Sequence, residues 1–462
     1  MFSIILLAFI QVDYFMTQNT IKFYPLTFLF VIMSIQGYSQ SQAKRGYFMF
    51  TNALKKPTKV YTLTTCLDSL HLFASKLKEL ENLTSLKIQQ SFGASSNITT
   101  LPKEIADLKN LKTIDLSNNG LTTLPKQIGQ LIALENLYLK QNKITSLPKE
   151  IGRLTNLKVL NIDNNELTSL PKQIGRLQSL KILSVKYNQL TSIPKQVGQL
   201  KHLKTLNLYS NKLTILPKQI GQLIALKTLN IERNQLKAIP KQVGKLQKLE
   251  TLNLNSNQLV TLPTAIEHLK HLKTLTVQKN LLLSIPTQIG KLNKLVRVVF
   301  SGNQLTKIPK EIGQLGKLKH LYVHQNKINI IPSEIGQLKE LTRLAFASNK
   351  LSFIPKEIEQ LKKLQWLFLD NNQLTVLPKE IWALRNIRIL TLSANQISYL
   401  PKEMGQLRNL KLLDLRSNKL TTLPKEITQL KKLKQFDFSP GNPVSQQELK
   451  KIRNRMPKYL VR

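Results

Sequence analysis

His320, Tyr322 and His324 alternate with Leu321 and Val323, the spacing of a strand that sends these three side chains to one face. Two imidazoles on such a face could hold a metal ion weakly. A protein zinc site needs three or four ligands, however, and no third ligand or carboxylate stands in the same stretch. No metal and no cofactor is therefore expected, and the pair reads as part of a binding surface. Its company points the same way. Arg297 precedes His320 by 23 residues, Arg343 follows it by 23, and Trp366 follows Arg343 by 23, with Phe368 and Asp370 at the next alternate positions. Leu364, Leu367 and Leu369 already occupy the inward positions there, so the two rings are expected on the open face. Aromatic and Arg side chains together on an exposed face are the composition of an interface hot spot. A second and weaker group is Tyr138, Lys140, Lys186, Tyr187, Tyr209 and Arg233. For any single Tyr the plain preference of aromatics for strands is explanation enough. Trp366 and Phe368 beside Tyr322 favour binding.

Reaction chemistry is harder to find. His71, His202, His268 and His271 fall in the N-terminal region or at turn positions, where solvated rings are expected. No Ser–His–acid order and no phosphate-cradling glycine loop is present. Cys66 is the single cysteine, which excludes an intrachain disulfide and a cysteine zinc site.

What must position these residues is a repeat. An Asn recurs every 23 residues from Asn119 to Asn418, and a Pro keeps the same period from Pro102 to Pro424. A fixed period in this range marks a solenoid. In the unit Leu157, Leu160, Ile162, Asn165, Leu167, Leu170, Pro171, Ile174, Leu177, the pair Leu160 and Ile162 has strand spacing. Ile174, Leu177 and Leu180 are three apart, which suits a helical or 3₁₀ turn. Neither part can bury its apolar side alone, but stacked copies can. The fold class is thus an α/β solenoid, with parallel β-strands on the concave face and short helical or 3₁₀ turns on the convex face. The Asn amide carries both a donor and an acceptor, so a stacked Asn ladder can satisfy backbone groups where each strand ends. Pro171 belongs between strand and turn, in the turn or at its first helical position.

The formal charge is +42, from 68 Lys and Arg against 26 Asp and Glu. Lys follows the repeat Pro from Lys103 to Lys425 in most units, and a second series precedes the strands at Lys112, Lys158, Lys181, Lys204, Lys227, Lys273, Lys319, Arg388, Lys411 and Lys434. Gln rather than Glu follows the Pro-Lys pair through much of the middle, which makes the middle the least neutralised part. Such ladders suit an anionic polysaccharide or envelope surface, or simply keep a long apolar solenoid soluble. Nucleic acid ranks last among partners, because the ladders lack interleaved aromatics.

The ends are irregular. Residues 1–43 read as a targeting segment, with Met16 as the expected true start, Lys22 as the positive region, Leu26–Ile35 as the apolar run and small residues near Gly37 for cleavage. Neither this run nor Ile4–Ile10 reaches the ~20 residues of a membrane span. Residues 44–96 read as an N-terminal cap with degenerate repeats, including a helix around Tyr47–Leu54 and a register slip of about five residues at Ser91–Ser96. The regular repeats fill 97–438. Residues 439–462 form a C-terminal cap, in which Gly441-Asn442-Pro443 breaks the pattern and Ser445 starts a helix over Gln446–Met456. Leu449 and Ile452 are expected to close the core.

The string Leu-Pro-Lys-Glu/Gln-Ile-Gly-x-Leu, at Leu147–Leu154 and, with Trp382 in place of the Gly, at Leu377–Leu384, resembles the 23-residue leucine-rich repeats of bacterial proteins, most of all the secreted repeat proteins of pathogenic spirochaetes. Ala53-Leu54-Lys55-Lys56-Pro57 with Val60, and Asn442-Pro443-Val444-Ser445, are similar to the caps of those proteins. The resemblance implies a horseshoe of leucine-rich repeats and an exported interaction protein, secreted or held at the cell surface, with the periplasm as a further compartment. The expected function is a binding scaffold that recognises a protein partner, extracellular or of a host, through its concave face. The alternative is a polyanion, glycosaminoglycan or envelope binder using the Lys ladders. An enzyme is not expected, for want of a catalytic constellation or a spare domain.

Overall fold

The computed structural model describes residues 48–89 and 98–455. The targeting segment proposed for 1–43, and the slip at Ser91–Ser96, lie outside these residues. A single parallel sheet of 17 strands runs through them, from Thr62–Cys66 to Gln435–Asp437, each strand paired with the next in sequence. From Thr113–Asp115 onward the strands are three residues long and the register advances by 23, as in Val159↔Ile182↔Thr205. The offset from Ser85 to Thr113 is five residues longer.

One unit shows how the sequence makes the turn. Leu160 and Ile162 point into the core and are fully buried. Asn164 then takes φ 56°, the left-handed conformation that swings the chain off the sheet. Asn165 secures the bend. Its Nδ2 donates to the carbonyls of Leu139 (2.8 Å), Ile162 and Asp163, and its Oδ1 accepts from the backbone N–H of Ile144 at 3.0 Å. Each Asn thus ties its own turn to the one before it, and the ladder expected from the sequence is present.

Pro171 stands just before the 3₁₀ turn Lys172–Arg176 rather than inside it, with φ −66° and ψ 143°. Its carbonyl accepts the N–H of Ile174 at 3.0 Å. Most units carry Gly where the turns touch: a Cβ on Gly221 would lie 2.2 Å from the carbonyl oxygen of Gln242, although Ala106, Glu267, Glu359 and Thr428 stand at the same repeat position. Trp382 occupies that same position in its own unit. It is buried, and its indole N–H has no partner among the described residues. The next turn yields to it, with Pro401 at φ −80° and ψ 163°.

Both ends are closed. Helix 48–55 covers the first turns, with Phe50 stacked on Phe73 at 4.8 Å. At the far end Ser445 Oγ accepts the N–H of Glu448 at 3.1 Å and starts the helix Gln446–Arg455, whose Ile452 is buried against the core with Leu449 beside it. One expectation fails here. Asn442 does not break the spine but extends it: its Oδ1 accepts the N–H of Leu420 at 3.0 Å and its Nδ2 donates to Leu415 and Phe438. It stands 24 residues after Asn418 rather than 23, which hides it from the periodic pattern.

Candidate binding surface on the concave face

Strand register places the first group of site residues in rows on the concave side. Arg297, His320, Arg343, Trp366 and Ile389 are successive partners in one row. Val299, Tyr322, Ala345, Phe368 and Thr391 form the next. His324 and Asp370 lie beyond them, just past the strand ends.

The rings are not the exposed side chains expected. Val299, Tyr322, Ala345, Ala347 and Phe368 form an apolar cluster of their own, separate from the main core, with Trp366 and Ile389 packed against it. Tyr322 is 4% exposed and Phe368 5%. The cause is the small pair Ala345 and Ala347. Ala345 separates the two aromatics in their row, so Tyr322 and Phe368 have room to cover the strand between them. Trp366, only partly buried, meets Phe368 edge-on at 6.2 Å between ring centres.

Guanidinium groups cap this floor. Arg343 lies over the Trp366 ring with its Cζ 3.7 Å from the centroid, and Arg297 lies over Tyr322 at 5.1 Å. Each such cation–π contact contributes about 0.5–1 kcal/mol at an exposed site. Arg297, not Arg343, is thus the cation over Tyr322. His320 sits 6.2 Å from the Tyr322 ring, tilted to it.

His324 and Asp370 are buried rather than open to the concavity. Ser301 Oγ lies 2.8 Å from His324 Nδ1. Burial pushes the His324 pKa down to about 4, so the ring is neutral at pH 7. Asp370 accepts hydrogen bonds from the Thr391 and Ser393 hydroxyls. Burial outweighs those bonds and, with Asp414 nearby, raises its pKa to about 6. Beside it Arg416 binds Asp414 with two nitrogens, at 2.9 and 2.6 Å. Among the described residues no group of three or more His, Cys, Asp or Glu is placed to hold a metal ion.

The second group divides. Tyr187 and Tyr209 meet edge-on at 5.0 Å, with Arg233 5.6 Å from the Tyr209 ring centre. Lys186 pairs with Asp163 at 3.1 Å. Tyr138 and Lys140 belong two strands away, with Val159–Asn161 between. The turn histidines His202 and His271 are exposed, as expected, and each also meets a backbone carbonyl. His202 and His271 bring Nδ1 within 2.8 and 2.9 Å of the carbonyls of Gln178 and Gln247, and His71 brings Nε2 within 2.8 Å of Thr100 O. His202 and His271 tie turns together as Asn156 does at the same repeat position.

The sequence reading missed Val299, Ala345, Ala347 and Ile389, which complete the apolar floor. The available signal was the 23-residue alignment of small and apolar residues with the aromatic ones. It also missed Ile330, Phe353, Val376 and Tyr399, one per unit over four consecutive units, which form an exposed apolar row just before the repeat prolines.

Comparison with known proteins follows the same lines. A model described as a leucine-rich repeat region matches residues 56–163, 126–213, 191–259 and 210–303, and a leucine-rich-repeat model matches 317–374, 339–397 and 385–440. No curated protein matches the sequence. Among solved structures, a leucine-rich-repeat protein of Leptospira interrogans is 38% identical with a TM-score of 0.72, over 89% of this chain and 98% of that one. A plant peptide hormone receptor in complex with RGF2 is 28% identical with a TM-score of 0.63, over 80% of this chain and 65% of the receptor. An internalin of Listeria monocytogenes, 24% identical over 69% of this chain and 86% of its own with a TM-score of 0.58, shares the fold. With its 23-residue spine, its 17-stranded parallel sheet and these matches, the chain belongs to the leucine-rich-repeat family.

Proposed function

We propose that this protein is an exported binding scaffold that recognises a protein partner, extracellular or of a host, through the concave floor around Trp366. The supporting observation is the second apolar cluster. Leucine-rich repeats fill their core from the inward strand positions, and that core is complete without Val299, Tyr322, Ala345, Ala347 and Phe368. An apolar floor on the opposite side of the sheet, capped by Arg297 and Arg343, does nothing for the solenoid that Thr and Asn do not do elsewhere, as at Thr251 and Asn253. The likeness to a receptor in complex with its partner RGF2 agrees with this use of the fold. Export rests on the basic and apolar pattern of residues 1–43 and on the resemblance to secreted spirochaete proteins. No helix among the described residues is long and apolar enough to cross a membrane.

Arg343 and Trp366 lie at the rim of the floor, where a partner reaches them first, and Tyr322 and Phe368 support them from below. Removing a hot-spot side chain costs ~2 kcal/mol or more. Trp366→Ala is therefore expected to lower capture of a partner from serum or extracellular-matrix extract by at least about tenfold. Thr251→Ala, on the same face four strands before Arg343, is expected to leave capture unchanged. Equal capture by the two variants would reject the assignment.

A further inference from the structure

A cleft of about 220 Å³ opens at the edge of the concave face where the strands begin, lined by Gln365, Asn386, Arg388, Asn409, Lys411 and Lys432. We propose that it is a binding site for a phosphate or sulfate ester carried on a polymeric ligand. Size is the first argument. The cleft falls below the ~300 Å³ at which sites for whole drug-sized molecules begin, so it suits a charged group rather than a complete small molecule.

Charge is the second. Elsewhere along this edge several of the Lys residues are paired with a carboxylate. Glu135 pairs with Lys158 at 2.7 Å, Glu250 bridges Lys227 and Lys273 at 3.3 and 2.7 Å, and Glu340 pairs with Lys363 at 2.5 Å. Among the described residues Arg388, Lys411 and Lys432 have no carboxylate within ion-pair distance, and no acidic residue lines the cleft. Lys181 and Lys204 also stand without an ion pair among the described residues, but here three such cations line one cleft.

Shape is the third. Asn386 and Asn409 anchor the lining by donating to the carbonyls of Lys362 and Arg385, at 2.7 and 3.0 Å, and Lys432 Nζ donates to Asn409 Oδ1 at 2.8 Å. Trp382 stands in the turn before Asn386 and Arg388, where it fills the place of a repeat Gly and displaces the turn that leads to Asn409 and Lys411. A guanidinium fork beside two ammonium groups matches the several oxygens of a tetrahedral ester. A single ester on so open a site binds weakly, and a polymer that bears many of them gains by multivalency.

The site lies one residue from Trp366, Ile389 and Leu412 but does not depend on the concave-face reading, and the test separates the two. The full chain is titrated at two salt concentrations with a heparin hexasaccharide, with a poly(glycerol phosphate) oligomer, and with a hyaluronan hexasaccharide that carries carboxylates alone. At least one ester polymer is expected to bind at least tenfold more tightly than hyaluronan, and the tighter of the two identifies the source. The double variant Arg388→Gln, Lys411→Gln is expected to lose about tenfold or more and to flatten the salt dependence by about two charges. Lys181→Gln with Lys204→Gln, the same loss of charge on the same edge, should lose less than about threefold, and Trp366→Ala nothing. Equal losses in the two double variants, loss of ester binding in Trp366→Ala, or hyaluronan binding as well as the esters, would overturn the proposal.

Discussion

At the scale of single residues, two side chains of the concave face titrate in opposite senses. Asp370 holds its proton more tightly folded than unfolded, because burial raises its pKa from 3.8 to about 6. Its favourable contribution is present below pH ~4 and is lost as the pH rises through 6, by about 3 kcal/mol in all. His324 does the reverse: burial lowers its pKa from 6.5 to about 4, so its contribution is present above pH 6.5 and is lost on acidification. Between pH 4 and 6 the two slopes offset each other. Relative to the wild type, Asp370→Asn should therefore lose stability as the pH falls from 6.5 to 4, and His324→Gln should gain it over the same interval. Urea unfolding at four pH values reads both effects. Parallel profiles for all three proteins would mean that neither group is buried as described. The sequence placed both residues on this face but not their burial, because that depends on Ser301, Ala347, Thr391 and Ser393 in neighbouring units.

At the scale of the element, each unit is a strand, a left-handed residue, a spine Asn and a 3₁₀ turn, and nearly all of this is legible in the 23-residue period. The spine gives the most direct test. Asn257 donates to the carbonyls of Ile231, Leu254 and Asn255 and accepts the N–H of Leu236. Asn257→Leu leaves these buried groups unpaired, at an expected cost of about 1–3 kcal/mol. Thr251→Val, at a partly exposed strand position of the same unit, should change stability by less than about 0.5 kcal/mol. Thermal unfolding of the two variants measures the difference, and equal losses would contradict the strand register. What the period conceals is whatever departs from it. Asn442 serves as a spine residue one position late, and Trp382 replaces a Gly whose tight contact the period alone does not reveal. The aromatic row was legible by alignment. Its floor-like form was not, since it is Ala345, a residue without notable chemistry, that lets Tyr322 and Phe368 lie down on the sheet.

At the scale of the whole molecule, the two proposed sites adjoin at the C-terminal part of the concave face. The charge of +42 does not by itself mark a site, because it is spread along the whole strand-start edge and is only in part bridged by Glu135 and Glu250. What distinguishes the concave floor is apolar surface on the side of the sheet away from the core, and its use can be read from an internal probe. The chain has two tryptophans. Trp382 is buried in the core and serves as a silent reference, whereas Trp366 lies at the rim of the floor. The deciding measurement is iodide quenching of tryptophan emission, before and after saturation with a partner captured by the wild-type protein. Quenching of Trp366 is expected in the free protein, absent in Trp366→Phe, and suppressed in the complex. Undiminished quenching of Trp366 in the saturated complex would contradict docking on the concave floor.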